Sequence, residues 1–215
     1  MNMIKSVNVG KVKVISDKSK KVTNSGIMKE SIGNQDVFLF KHNLAGDEQA
    51  DLINHGGVDK AVCIYPVDHL PYWENRYKQS FHYGAFGENV SIQGLTEELV
   101  CIGDQFLWGE AVVEVSQPRS PCFKVALKHG IKQLPLHIQE TGYSGYYVRV
   151  IQEGVVSRES PFQLQKKGSQ FTVAEVNTTT YCKETDEKKV NELLKCPMLS
   201  NAWKKTLMNK INRKK

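Results

Sequence analysis

The stretch AVVEVSQPRSPCFK, residues 111–124, joins an apolar run to a strip holding two prolines, an arginine and a cysteine. AVVEVS reads as a strand. Pro118 and Pro121 each fix φ, remove a backbone donor and push the residue before them towards an extended conformation. The strip is therefore expected to be stiff and to lie outside the middle of a sheet. In a polyproline-like conformation side chains three apart return to one side, which sets Arg119 and Cys122 side by side at roughly 9 Å. A core has no use for a fixed cation beside a fixed thiol, so a binding role is the natural expectation.

Outward from this stretch, short β-like runs dominate the first 160 residues: SVNVGKVKVI, DVFLF, AVCIY, ENVSI, QFLWG and YYVRVIQEGVV, separated by turns rich in Gly, Asn, Asp and Pro. Glu153-Gly154 suits a hairpin reversal. One helix interrupts them in VDHLPYWENRYKQ, where Leu70, Trp73 and Tyr77 recur at helical spacing and Pro71 restricts the helix to starting near it or bending there. The expected fold class is mainly β with helices (α+β), built on a closed β-barrel over residues 1–164. A small three-helix domain is expected over 165–215. Thr172-x-x-Glu175 matches a capping box, Val190, Leu193 and Leu194 form an apolar stripe, and Ser200 can cap a helix bearing Trp203, Leu207 and Ile211. Such a piece is too small to be secure alone and should pack on the barrel or on something else.

The 215 residues, 40% hydrophobic and 24% charged, have an ordinary globular make-up that excludes disorder and fibres. The longest apolar stretches fall far short of a membrane span and the N-terminus lacks a signal-peptide core, so a cytoplasmic protein without membrane contact is expected. Five widely spread cysteines with no CxxC pair argue against a disulfide framework or a zinc ribbon. Cys63 and Cys101 read as small buried hydrophobes. The basic excess is confined to residues 165–215, with 12 Lys and Arg against 5 Asp and Glu; the rest has 17 against 18. That tail could bind nucleic acid, but it lacks interleaved aromatics, and a solvated helix face explains it more simply.

Two more segments place glycine and polar residues where a core would not want them. In NHGGVDKAV (54–62), Gly56 and Gly57 let backbone approach a ligand, His55 and Lys60 can donate to an anion, and Asp59 can orient either cation. In GAFGENV (84–90), Asn89 can offer its amide at a bend before a strand. A plain Gly-Gly turn and a hairpin tip are the bland readings of the same residues. Neither segment is a P-loop or a dinucleotide fingerprint. Zinc from His55, Cys63 or Cys122 with His129 or His137, and a Cys122–His55 nucleophile pair, stay open on residue type alone.

Taken in order, NHGGVDKAVCIYPVDHLPYW, then GAFGENVSIQGLTEELVCIGDQFLWGEAVVEVSQPRSPCFK, then TGYSGYYVRVIQEGVV resemble the MOSC domain over nearly the whole chain, in the stand-alone bacterial branch that ends in three helices. Pro71 and the segment ESPFQLQKKG depart from the family pattern. The resemblance implies a β-barrel binding the molybdenum cofactor, a molybdopterin carrying Mo and a phosphate. It implies Cys122 as metal ligand and catalytic centre, with His55, Lys60, Asn89 and Arg119 around the pterin and phosphate, and Gly56, Gly57 and Asp59 shaping that wall. Pyridoxal phosphate binding is associated with the same family. The implied activity is reduction of N-hydroxylated bases or related small molecules, in the manner of proteins that detoxify 6-N-hydroxylaminopurine. Electrons would come from a separate flavin or iron-sulfur protein, since the sequence carries no signature of either. A carrier that binds the cofactor without turnover is the alternative.

Overall fold

A computed structural model of the chain describes residues 3–16, 22–50 and 56–212. The strands are β1 (Met3–Val9), β2 (Lys13–Ser16), β3 (Val22–Ser25), β4 (Glu30–Ser31), β5 (Val37–Leu39), β6 (Val62–Pro66), β7 (Val90–Gln93), β8 (Gln105–Trp108), β9 (Ala111–Pro118), β10 (Tyr146–Gln152), β11 (Gly154–Val156) and β12 (Phe162–Lys166). The helices are α1 (Leu70–Tyr77), α2 (Phe123–His129), α3 (Leu134–Thr141), α4 (Val173–Tyr181), α5 (Glu187–Leu194) and α6 (Asn201–Asn212), with 3-10 turns at Val58–Lys60 and Val67–His69.

Eight strands form one curled sheet in the order β12-β8-β9-β10-β6-β7-β1-β4. The expected closed barrel is an open one: β12 and β4 end the sheet and do not pair with each other among the described residues. Closure requires hydrogen bonds all round, and a two-residue strand at one end offers little to bond. β6 and β7 run parallel, the one parallel pair among the described strands. A parallel pair needs a crossover, and α1 with the GAFGEN loop is that crossover. Pro71 sits in the first turn of α1, where its missing N–H costs nothing.

Three other expectations change. Gln117 and Pro118 belong to β9, an interior strand, with Tyr146 opposite Pro118. Proline is tolerated there because β8 pairs only with residues 111–114 of β9, which leaves the later residues without that neighbour. Glu153-Gly154 makes no hairpin: β11 leaves β10 and pairs with β5, the break being held by Lys41, whose backbone N–H donates to Glu153 Oε1 at 2.6 Å and whose Nζ donates to Val150 O and Ile151 O. SVNVGKVKVI is two strands broken at Gly10, where a Cβ would lie 2.8 Å from Gly26 O.

Alternation along the central strands creates two apolar regions. Val62 and Ile64 of β6, with Tyr146 and Val148 of β10, point into the main core. Tyr65 points the other way, into an aromatic cluster with Trp73, Phe81 and Phe86 under α1, α2 and α3. Tyr65 and Phe86 stack at 4.2 Å, and Trp73 Nε1 donates to Tyr65 Oη at 2.6 Å. The C-terminal helices complete the main core with Val173, Val176, Val190, Leu193, Trp203 and Leu207. The capping box at Thr172 and Glu175 is formed, and Ser200 Oγ accepts the Trp203 N–H at 3.1 Å. The helices are pinned behind the proline strip: Ser200 N donates to Ser116 O at 3.0 Å, Ser200 Oγ to Gln117 Oε1 at 2.7 Å, and Arg149 Nη2 to Met198 O at 2.8 Å. Among the described residues no helix is long and apolar enough to cross a membrane.

Candidate functional site

Residues on the far side of β6 and β10 from the main core open onto a cleft of about 600 Å³, whose lining includes Lys60, Asn89, Arg119 and Cys122. Four sequence-predicted residues thus meet in one place. Arg119 and Cys122 do face one space, as the proline strip requires. Residues 119–122 have no regular structure, and Cys122 is extended (φ −118°, ψ 146°) at the head of α2.

Arg119 is turned inward, 6% exposed. Its backbone N–H donates to Gly145 O at 3.0 Å and its Nη2 to Phe86 O, while Nη1 is buried with no hydrogen-bond partner among the described residues. Lys124 is 8% exposed, and its ammonium makes no hydrogen bond or ion pair with the described residues. A buried cation with donors to spare is costly unless a ligand takes them.

Asn89 is differently employed. Its Nδ2 donates to Asp47 Oδ2 at 2.9 Å and to Asn8 O at 3.3 Å, and its Oδ1 accepts the Cys63 N–H at 3.1 Å. Asp47 also accepts from Gly10 N at 2.8 Å and is ion-paired with Lys29. Asn89 therefore holds the cleft floor together. The GAFGEN loop that delivers it is folded around buried Glu88, whose carboxylate accepts from Gly84 N, Phe86 N and Ser91 Oγ at 2.6–3.0 Å; burial raises the pKa of that carboxyl. Gly87 lines the cleft with φ +81°, and a Cβ there would lie 2.5 Å from Ile27 Cγ1.

The NHGGVDKAV segment is split. His55 lies outside the described residues. Gly57, at φ +97°, heads the 3-10 turn that brings Lys60 to the cleft, with nothing within 4 Å of a Cβ built on it. Gly56 precedes it, half-buried. Asp59 is not among the lining residues: its carboxylate pairs with Arg149 Nε at 2.8 Å and its carbonyl accepts from Ser116 Oγ, which fastens the turn to β9 and β10.

Sequence reasoning missed Lys29, Asp47, Cys63 and Tyr147, all of which line the cleft. Cys63 reads as core, yet strand alternation sets it on the opposite face from Val62 and Ile64; burial pushes its thiol up to about 11. Tyr147 stands opposite Cys63 on β10, and burial raises its phenol, so it keeps its proton. Lys29 and Asp47 come from loops whose sequence carries no motif. Among the described residues no three His, Cys, Asp or Glu side chains gather as a metal cluster. His129 and His137 are engaged elsewhere, with Ala85 O at 2.8 Å and Tyr77 Oη at 2.5 Å.

The MOSC domain model matches residues 51–163, more than half the chain, and spans both Lys60 and the proline strip. This chain belongs to the MOSC domain family. The YiiM-like 3-alpha helix domain model matches residues 171–213 of the MOSC protein, over α4, α5 and α6. YflK of Bacillus subtilis (strain 168) is 44% identical over 97% of this chain and 94% of its own length. YiiM of Escherichia coli (strain K12) is 39% identical over 81% and 80%. The crystal structure of YiiM from Geobacillus stearothermophilus superposes with a TM-score of 0.82 at 38% identity, covering 97% of this chain and 98% of that one. A protein of Gibberella moniliformis named as a reductase is 35% identical over 61% of this chain, a match that spans 24% of that longer protein.

Proposed function

We propose that this MOSC protein binds the molybdenum cofactor in the cleft and reduces N-hydroxylated small molecules, N-hydroxylated bases among them. The observation that carries the reading is the pairing of unspent cationic donors, on Arg119 Nη1 and Lys124, with a half-exposed thiol at Cys122 on the same wall. The donor set fits the group: an anionic phosphate end asks for cations, and a soft thiolate suits the metal end. The lining holds Lys29, Lys60, Lys124 and Arg119 against Asp47 and Glu48, and Asp47 is already neutralised by Lys29. The reading also fits the name of the Gibberella relative. Pyridoxal phosphate would meet the same cations but would leave the Cys122 thiol without a task.

When bound, the cofactor would supply two-electron chemistry at the metal. The balance for the substrate is R–NHOH plus two electrons and two protons giving R–NH2 and water, the electrons arriving from a separate flavin or iron-sulfur protein. The chain's own part is positioning and charge. Arg119, Lys124 and Lys60 would hold the anionic end, Cys122 would ligate the metal through sulfur, and Tyr147 retains a phenolic proton at the wall. The stiff proline strip keeps the cation and the thiol in fixed relation, so little reorganisation is needed on binding.

The test is Cys122→Ser purified from cells that make the cofactor. Molybdenum measured by elemental analysis should fall to background while the circular dichroism melt stays at the wild-type position. Wild-type metal content and wild-type reduction of hydroxylaminopurine in the variant would overturn the assignment. Full cofactor loading in the unmutated protein without turnover, given a competent donor, would point to the carrier reading.

A further inference from the structure

A second hollow, of about 720 Å³, opens where α3 and α4 meet the loop after β7, and its wall includes His69, Thr96, Glu97, Glu98, Tyr143 and Thr178. The 142–145 turn touches both sites: Gly142 and Tyr143 line this hollow, and the Gly145 carbonyl accepts the Arg119 N–H of the first cleft. His69 and Glu97 are 7% and 3% exposed. His69 Nε2 meets Glu97 Oε2 at 2.6 Å, and Glu97 Oε1 accepts the Gly145 N–H at 2.7 Å. The imidazole stacks on Tyr143 with centroids 3.8 Å apart and planes 8° apart, which locks the ring.

A carboxylate that fixes one nitrogen of a buried imidazole leaves the other to face a ligand. The His69 Nδ1 makes no hydrogen bond with the described residues. In the neutral ring whose Nε2 proton is directed at Glu97, Nδ1 presents a lone pair. The remaining polar groups are also acceptors or adaptable hydroxyls: the Glu98 carboxylate, the hydroxyls of Thr96 and Thr178, and the C-terminal end of α3, which carries partial negative charge. Among the described residues no lysine or arginine lines the hollow. Such a wall rejects anions and accepts donors, the reverse of the first cleft.

We propose that this hollow is a second binding site, for a small organic cation bearing N–H donors, and that its occupancy reaches Arg119 through Glu97 and Gly145. A donor placed on His69 Nδ1 alters the His69–Glu97 pair, and Glu97 is the group that holds the Gly145 N–H. Gly145 lies at φ +72° and packs so closely on β6 that a side chain there would collide with Ile64 O. The coupling is reciprocal, so an anion bound at Arg119 alters affinity at the hollow. None of this depends on the cofactor assignment.

The experiment uses the full chain produced without cofactor. Benzamidine and 1,4-diaminobutane are titrated by calorimetry, with succinate as a control of similar size and opposite charge. Saturable amine or amidine binding without succinate binding is expected. Thr178→Lys, which places a cation on an exposed helix position at the rim, should weaken binding by about tenfold or more through like-charge repulsion. Backbone hydrogen exchange at Arg119, read by NMR, should change when the hollow is saturated. Absence of saturable binding by either probe, or binding indifferent to Thr178→Lys, overturns the site. Equal binding of succinate overturns the ligand class, and unchanged Arg119 exchange at saturation overturns the communication.

Discussion

Lys124 is the side chain on which the charge of the cleft turns. It is buried without a hydrogen-bonding neighbour among the described residues, so removing its charge strands none of them, whereas removing Asn89 would release Asp47, Asn8 and Cys63 together. Lys124→Met should therefore fold normally. Inorganic phosphate titrated into the chain produced without cofactor should bind about 10–100-fold more weakly to the variant, the worth of one charge-assisted hydrogen bond of ~1.5–3 kcal/mol. The two cleft cysteines should differ as sharply. Cys63 is 4% exposed with its thiol pushed to about 11, so about a thousandth of it is thiolate at pH 8. Cys122 is half-exposed. Iodoacetamide at pH 8 followed by peptide mass mapping should find Cys122 alkylated while Cys63 stays unmodified; equal rates would place Cys63 at the open rim.

The GAFGEN loop and α2 are coupled by the Lys128 ammonium beside the His129 imidazole. Lys128 Nζ donates to Ile27 O at 3.0 Å and Gly84 O at 2.7 Å, so α2 clamps two loops that border the cleft. Burial lowers its pKa from 10.5 to about 8, with Glu88 opposing the shift. Between about pH 8 and 10.5 the unfolded chain holds a proton that the folded chain has released, so this residue makes stability rise with pH across that window. Urea melts at pH 7.5 and 9.5 should show the native protein gaining stability relative to Lys128→Met; a constant difference would mean the ammonium keeps its proton. Another ammonium ties the C-terminal helices together: Lys210 Nζ on α6 donates to the carbonyls of Thr179, Thr180 and Cys182 at the end of α4. Unsatisfied carbonyls at a helix C-terminus favour a cation. Part of the basic tail thus acts as a structural cap.

Across the whole molecule the three C-terminal helices and the curled sheet share one core, since Val176, Trp203 and Leu207 belong to the same cluster as Ile64, Val113 and Val148. They also back the strand that ends in the proline strip, through Ser116 and Gln117, and its neighbour β10, where Arg149 donates to Met198 O. A chain ending at Lys166 should lose its cooperative thermal transition and bind a hydrophobic dye, because the sheet would expose the face those helices cover. A truncated chain that melts cooperatively at the full-length temperature would show the two parts to be independent. The cleft itself lies on the other side of β6 and β10, and the helices act on it through the backbone they brace and through Tyr181 of α4, whose Oη donates to Ser120 Oγ of the proline strip at 3.4 Å.

Local chemistry was enough for the features that depend on a few neighbouring residues. Prolines fix the strip that presents Arg119 and Cys122, the glycines at 56–57 and 84–87 mark turns where backbone must bend sharply, and the Thr172–Glu175 box starts α4. The order of those motifs along the chain also sufficed to point to the family. Other features depend on residues far apart in sequence. An open sheet in place of a barrel follows from which edges meet. The role of Asn89 follows from Asp47, 42 positions away, and the face of Cys63 follows from which side of β6 the core fills. Lys29 and Asp47 enter the cleft from loops with no periodicity or motif, because hydrogen bonds that close a tertiary contact leave no local pattern.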